Sequence, residues 1–269
     1  MPNWISYPYA GAYDFNAASL TKSWSRLHQG DTEPLPDDAA VLQAWVFFHN
    51  GEFKKAAEAG LNAGKRGITV ANKATGIYAN YLEIKEKVKF ELFLEMAERA
   101  EAQQAREPTN ANAFYSQAYA LGRYSQAISV SKAMAQGLGS KIKNALEQTI
   151  KLAPLHADAH LAMAVFHADV IDKVGSLIGC MTYGVKKEIG MSLFDKALKL
   201  NPDSVIAKIE YAQGMVMLEG DKKINEATRL YEQAAASQPM DARERLDVEW
   251  AKAELEIEPA HGNRDLLYS

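Results

Sequence analysis

From about residue 37 to about residue 256, apolar residues recur at three- and four-residue spacing through alanine-rich stretches. That is the period of amphipathic helices. Runs of alternating Val, Ile and Thr bounded by turn residues are missing, so the pattern predicts an all-α chain. The punctuation is helical too. Asp37-Asp38, Thr109, Asp203-Ser204 and Asp241 stand where short polar side chains would accept from the unpaired amides of a first turn. Pro108, Pro154, Pro202 and Pro239 each follow a helical run, which a residue without an amide hydrogen ends.

Those prolines expose a repeat. In the segments ending at Pro154, Pro202 and Pro239, Leu146, Phe194 and Tyr231 fall together eight residues before the proline. Ala197 and Ala234 share a further slot, which Thr149 fills in the first segment. Upstream, Gly51 is followed by Phe53 and Ala56 at offsets of two and five. The pattern resembles the tetratricopeptide repeat (TPR), a helical hairpin of about 34 residues. Small residues would let paired helices approach, and the aromatic would fill the remaining gap. Hairpins are expected near 38–64, 71–107, 110–153, 156–201 and 204–238, with a capping helix from about 241 to 256. The resemblance covers about 38–239 and implies a right-handed solenoid of stacked hairpins. The domain layout is then an aromatic N-terminal arm at 1–36, a single repeat domain at 37–256 and a tail at 257–269.

Two hairpins depart from a plain array. Long insertions separate their helices, at about 122–141 and 170–188. Loops of this length with apolar content of their own are often functional. Stacking in parallel would bring both to one edge, which Arg123, Lys132, Lys141, Lys143, Lys173, Lys186 and Lys187 make basic, with Tyr183 beside them. The last hairpin and cap are acidic from Glu210 to Glu258. These charges read as solvated helix faces, or else as a steering field for an anionic ligand or a head-to-tail contact between copies.

As a whole the chain is similar to uncharacterised bacterial proteins with TPR-like repeats. The similarity rests on Tyr119-Ala120-Leu121-Gly122-Arg123-Tyr124-Ser125-Gln126, His156-Ala157-Asp158-Ala159-His160 and Val170-Ile171-Asp172-Lys173-Val174-Gly175. More distantly it resembles the T component of TRAP transporter systems, an exported and lipid-anchored family. The N-terminus here has neither a basic n-region nor an apolar h-region, a departure that argues against a transport role.

Composition narrows the function. Hydrophobic residues are 48% and charged residues 24% of the 269, the ordinary globular balance. A formal charge of −4 argues against holding nucleic acid by bulk electrostatics, and no apolar run is long enough to span a bilayer. A cytoplasmic protein is expected. One cysteine, Cys180, excludes an intramolecular disulfide and reads as a small buried residue rather than a nucleophile.

In the resembled family the first helix of each hairpin lines a concave groove. Trp45, Phe48, Tyr115, Tyr119, Arg123, Val165, Asp169, Glu210 and Met217 fall there by register. Trp, Tyr and Arg are the residue types that carry binding energy at interfaces. The family's carboxylate-clamp positions hold Asn112, Tyr115, Asp158, Leu161 and Val165, so that specificity is not expected. The aromatic stretch Trp4–Phe15, nearly uncharged, reads as an extended arm that packs on the repeats. His156 and His160 sit four apart, but the intervening glutamate of a zinc-protease motif is missing. Gly137-Leu138-Gly139-Ser140-Lys141 lacks the strand and the Gly-Lys-Ser/Thr ending of a P-loop and reads as a bend. Gly175 and Gly179 suggest close helix packing. Neither a catalytic constellation nor a cofactor or metal site is expected. The expectation is a non-enzymatic adaptor binding a protein or peptide partner in its groove. The alternatives are a pocket for an anionic small molecule between the insertions, or a self-assembling structural protein.

Overall fold

The computed structural model describes residues 4–261, and side chains to residue 256. Of the tail expected at 257–269, residues 257–261 continue the last helix, and 262–269 lie outside the described residues. Fourteen α-helices and no strand are present among them. Packing divides the chain into two compact units. The first runs up to Ala159 and adds Asp241–Arg243; the second is His160–Met240 with the residues from Glu244 on.

In the first unit α1 (Ala17–Leu27) precedes three hairpins. These are α2 (Ala39–His49) with α3 (Phe53–Asn62), α4 (Ile68–Tyr81) with α5 (Glu86–Arg106), and α6 (Ala111–Gln126) with α8 (Leu138–Leu152). Short α7 (Val130–Ala135) occupies the first insertion. The first helices α2, α4 and α6 are neighbours, and each packs on its own second helix. Caps mark the starts: Asp38 accepts from Ala40 N at 2.8 Å, and Asn110 from Ala113 N at 3.2 Å. Asn110, not the expected Thr109, is therefore the cap of α6.

Two further hairpins follow. They are α9 (Ala157–Val174) with α11 (Lys187–Leu200), and α12 (Val205–Glu219) with α13 (Ile224–Ala235). Short α10 (Ser176–Tyr183) lies in the second insertion, and α14 (Ala242–His261) closes the chain. The aligned slots are core. Leu146, Phe194 and Tyr231 are all buried, as are Thr149, Ala197 and Ala234. Phe194 shows why the slot is aromatic. Its ring stacks on Tyr211 at 4.9 Å and fills the space over Gly214, where an added Cβ would meet its Cζ at 2.3 Å.

Insertion glycines divide in role. Gly179 is held close, since a Cβ there would lie 2.8 Å from Val185 Cγ2. Gly175 is not a packing residue: with φ +83 and open space around it, it permits the left-handed turn into α10.

Gly214→Ala is expected to lower stability by roughly 1–3 kcal/mol in chemical denaturation, because the stacked and buried Phe194 ring cannot retreat. Gly122→Ala, in α6 with open space around it, is expected to be neutral or stabilising by up to ~1 kcal/mol. Equal effects at the two positions would mean that helix propensity and not the Phe194 contact decides.

Candidate functional site

Residues 4–33 pack along the first unit, and the part from Asn16 to Glu33 crosses its first helices. Trp4 stacks on Tyr78 of α4 at 4.1 Å, and Tyr7 meets Phe53 edge-on at 5.9 Å. Asn50, just past α2, then clamps Phe15 in both directions: its Oδ1 accepts the Phe15 N–H at 2.7 Å, and its Nδ2 donates to the Phe15 carbonyl at 3.0 Å. Helix α1 starts at a capping box between Asn16 and Ser19. Four-residue spacing places Leu20, Trp24 and His28 on one face, and all three are buried. Trp24 meets Trp45 of α2 edge-on at 5.7 Å and stacks on His28 at 4.0 Å.

Beyond α1 lies a polar cluster that the sequence pattern did not reveal. Asp31 pairs with Lys73 of α4, whose ammonium also lies 5.9 Å from the Trp45 and Phe48 ring centres. His28 Nδ1 is 3.0 Å from Asp31 Oδ1, His28 Nε2 is 3.2 Å from His49 Nε2, and His49 Nδ1 is 2.6 Å from Asp241 Oδ2. Asn112 of α6 donates to the Asp31 carbonyl at 3.0 Å and to Glu33 at 2.6 Å, while its Oδ1 faces His156 Nε2 at 3.0 Å. Asp158 N donates to the Gly30 carbonyl at 2.9 Å. A side chain at Gly30 would collide with the Asp158 carboxylate, 2.4 Å from the ideal Cβ.

The protons can be counted. Three contacts join Asp31, His28, His49 and Asp241, and each needs one hydrogen, whereas two neutral imidazoles carry two. Burial lowers the His28 pKa to about 4 against the pull of Asp31, with His49 and Lys73 adding to the effect of burial. His28 is therefore neutral and gives its Nδ1 hydrogen to Asp31. The network continues from His49 Nδ1 to Asp241 Oδ2 at 2.6 Å. Burial would push the Asp31 carboxyl up, but Lys73 and then His28 outweigh it and hold it well below the ordinary range. One carboxylate then faces one ammonium, which is the condition for burying either. Half-buried Glu33 goes the other way. Burial and the Asp31 charge raise it to about 8, against the Asn112 hydrogen bond.

The expected groove residues separate in this structure. Trp45 and Phe48 are fully buried beneath α1 and the Lys73 pair, so neither is open to a partner in this state. The register placed them on the first-helix face; the chain's own N-terminal segment covers it. On α6, Tyr115, Tyr119 and Arg123 follow one another along one face and remain half-buried. Tyr115 tilts against His156 at 4.7 Å and Tyr119 at 6.3 Å, and Arg123 lies 5.5 Å over the Tyr119 ring. Asp169 on α9 is half-buried and Glu210 on α12 is buried, both in the second unit.

In fold the chain resembles a thermophilic TPR protein from Thermus thermophilus known from its crystal structure. The TM-score is 0.55 and the identity 16%, over 80% of this chain and 97% of that one. The chain is all-helical and TPR-like. No family model matches it, and no curated protein matches its sequence. The likeness to the TRAP T component receives no support from these comparisons.

The insertions of this TPR-like chain carry exposed groups. Lys132 is exposed on α7, 6.0 Å from the Tyr124 ring centre, and Lys141 is exposed on α8. A trough of about 660 Å³ runs between α5 and α8 over α6, with Leu94, Phe114 and Leu121 as apolar surface and Glu98, Gln117 and Lys141 among its polar groups. In the second unit Lys173 is exposed, and Tyr183 packs on Phe166 at 5.9 Å. Cys180 is exposed, contrary to the buried place expected, because α10 turns Gly179 inward. His156 is not on a helix with His160. It precedes α9, and its Nδ1 accepts from Ala159 N at 3.0 Å. No cluster of three His, Cys, Asp or Glu side chains arranged for a metal occurs among the described residues. No helix among them is long and apolar enough to cross a membrane.

The signal that could have revealed the cluster was faint: Leu20, Trp24 and His28 at four-residue spacing, behind Asn16 and Ser19, mark a helix ahead of the repeats. Nothing local marks Lys73, His49 or Asp241 as partners.

Stability should report the cluster's protons. Unfolded, His28 protonates near 6.5, but folded only near about 4, so stability falls as pH drops through that interval. Glu33 ionises near 4.5 when unfolded and near about 8 when folded, so stability falls as pH rises from 4.5 to 8. Above 6.5 the Glu33 effect stands without that of His28. The wild-type melting temperature is therefore expected to fall between pH 6.5 and 8, and that of Glu33→Gln to stay level. A parallel fall in both proteins would rule out Glu33 as the source.

Proposed function

We propose that the chain is a non-enzymatic, cytoplasmic scaffold that binds a segment of another protein on the first-helix face of its first unit. The stretch of α6 carrying Tyr115, Tyr119 and Arg123 is the proposed contact. One observation carries the reading: the same face, from Trp45 through Lys73 to Asn112, already receives a helix and a turn of polypeptide in residues 16–33. Helix-in-groove recognition uses the same elements, a one-sided apolar helix and a few placed polar groups. The Arg123–Tyr119 stack extends the face with residue types favoured at binding hot spots. Half-buried Asp169 is a candidate contact of the second unit's own first helices, whereas buried Glu210 is not open to a partner in this state. The insertion residues Lys132, Lys141, Lys173 and Tyr183 are proposed to shape the edges of their units.

The test compares wild type with a Tyr119→Ala, Arg123→Ala variant as bait in a native lysate of the source organism. A protein held by wild type and lost by a variant of unchanged helicity is the expected result. Identical protein profiles for both baits would remove the α6 face as the site.

The trough between α5 and α8 favours a second reading, a small-molecule binder. A ligand that binds only the native state raises its melting temperature. A shift with a small metabolite, abolished by Lys141→Ala, is the outcome expected of that reading. No shift across a broad panel would exclude it.

A further inference from the structure

The seat of residues 16–33 has chemical demands that any occupant must meet. Lys73 is largely enclosed and lies between the rings of Trp45 and Phe48 and the Asp31 carboxylate. An enclosed ammonium needs an acid opposite it. His49, tied to Asp241 on one side, presents Nε2 to a nitrogen of the occupant. Trp45 offers a ring edge to an indole. Asn112 supplies a side-chain amide to the occupant's backbone at Asp31, and Asn50 clamps Phe15 just before it. These are the features of a peptide-recognition surface.

The occupant is one-sided. Leu20, Trp24 and His28 face the seat, whereas Ala17, Ala18, Thr21, Lys22 and Ser25 are exposed. Its departure from α1 is strained. Thr32 has φ +50, the left-handed region that a β-branched side chain disfavours, and it is the non-glycine residue recorded there among the described residues. The connector to α2 includes exposed Pro34, Leu35 and Asp37.

We propose that the face formed by α2, α4 and α6 binds a one-sided helical segment bearing an aromatic residue, a histidine four positions later and an acid three after that. Residues 16–33 are its built-in occupant, and a partner segment of the same chemistry takes their place. The proposal rests on the reading that the first-helix face receives polypeptide, and adds the kind of segment and the strap that competes with it. Because the strap is tethered, it is present at high effective concentration, and a partner binds only the fraction of molecules in which the strap is released.

The probe is a fluorescent synthetic peptide of residues 14–36, titrated into the full chain. Trp24→Ala with Asp31→Asn weakens the strap and leaves the seat intact. This variant is expected to bind the peptide at least about tenfold more tightly than wild type does. Adding Lys73→Met, which removes the ammonium from the seat, is expected to abolish the gain. A folded strap variant that binds the peptide no better than wild type overturns the proposal.

Native-state hydrogen exchange on the wild-type chain decides independently of any variant's folding. Amides of Thr21–His28 exchanging well before those of α4 and α6 support release of the strap. Protection equal to that of α4 and α6 makes the segment a permanent part of the core and overturns the proposal. The scaffold reading is judged separately, by partner loss in the Tyr119, Arg123 variant. Partner loss without peptide exchange leaves the scaffold standing and the strap refuted.

Discussion

A largely enclosed ammonium is costly unless it is paired, and Lys73 of α4 lies near the rings of Trp45 and Phe48. The acid that answers it, Asp31, comes from outside the hairpins. Much of the first unit follows from that pairing. Asp31 orients His28, and His28 faces His49, which reaches Asp241. The Asp31 carbonyl takes the amide of Asn112, whose oxygen faces His156. One ion pair thus joins α1, α2, α4, α6 and the residue before α9 in a connected polar network. Its charges balance only if Asp31 is ionised and His28 neutral, which is the direction in which burial and Lys73 move them.

Buried polar networks of this kind contribute specificity more than net stability, since desolvation offsets much of the attraction. Here they choose the register of the N-terminal segment. An apolar helix could settle on α2 in several positions, but one places a histidine against His49, an acid against Lys73 and a carbonyl against Asn112 together. The collision that a side chain at Gly30 would make with Asp158 excludes a bulkier residue at the turn. The left-handed Thr32 shows that the chain accepts strain to reach this arrangement.

The first unit is organised by the polar network and its aromatic surround. In the second, Phe194 stacks on Tyr211 over Gly214, and Tyr231 is buried beside Val205 and Ile209. The insertions likewise became short helices with exposed apolar positions, among them Met134 on α7 and Leu177 and Met181 on α10.

The sequence by itself determined the all-helical fold, the five hairpins and the buried slots at Leu146, Phe194 and Tyr231. Those features rest on short-range signals: a period near 3.6, polar caps, and prolines that cannot continue a helix. It also carried the α6 residues Tyr115, Tyr119 and Arg123 to one face, because residues three and four apart share a side of a helix. Tertiary structure alone decided that Trp45 and Phe48 would be covered and that Cys180 would be exposed. It alone joined His49 to Asp241, 192 positions away. Register along one helix says which side a residue takes, but not what is brought against that side. That depends on chain closure over long separations, where a histidine, an acid and a lysine find one another by complementary charge and by exclusion of water.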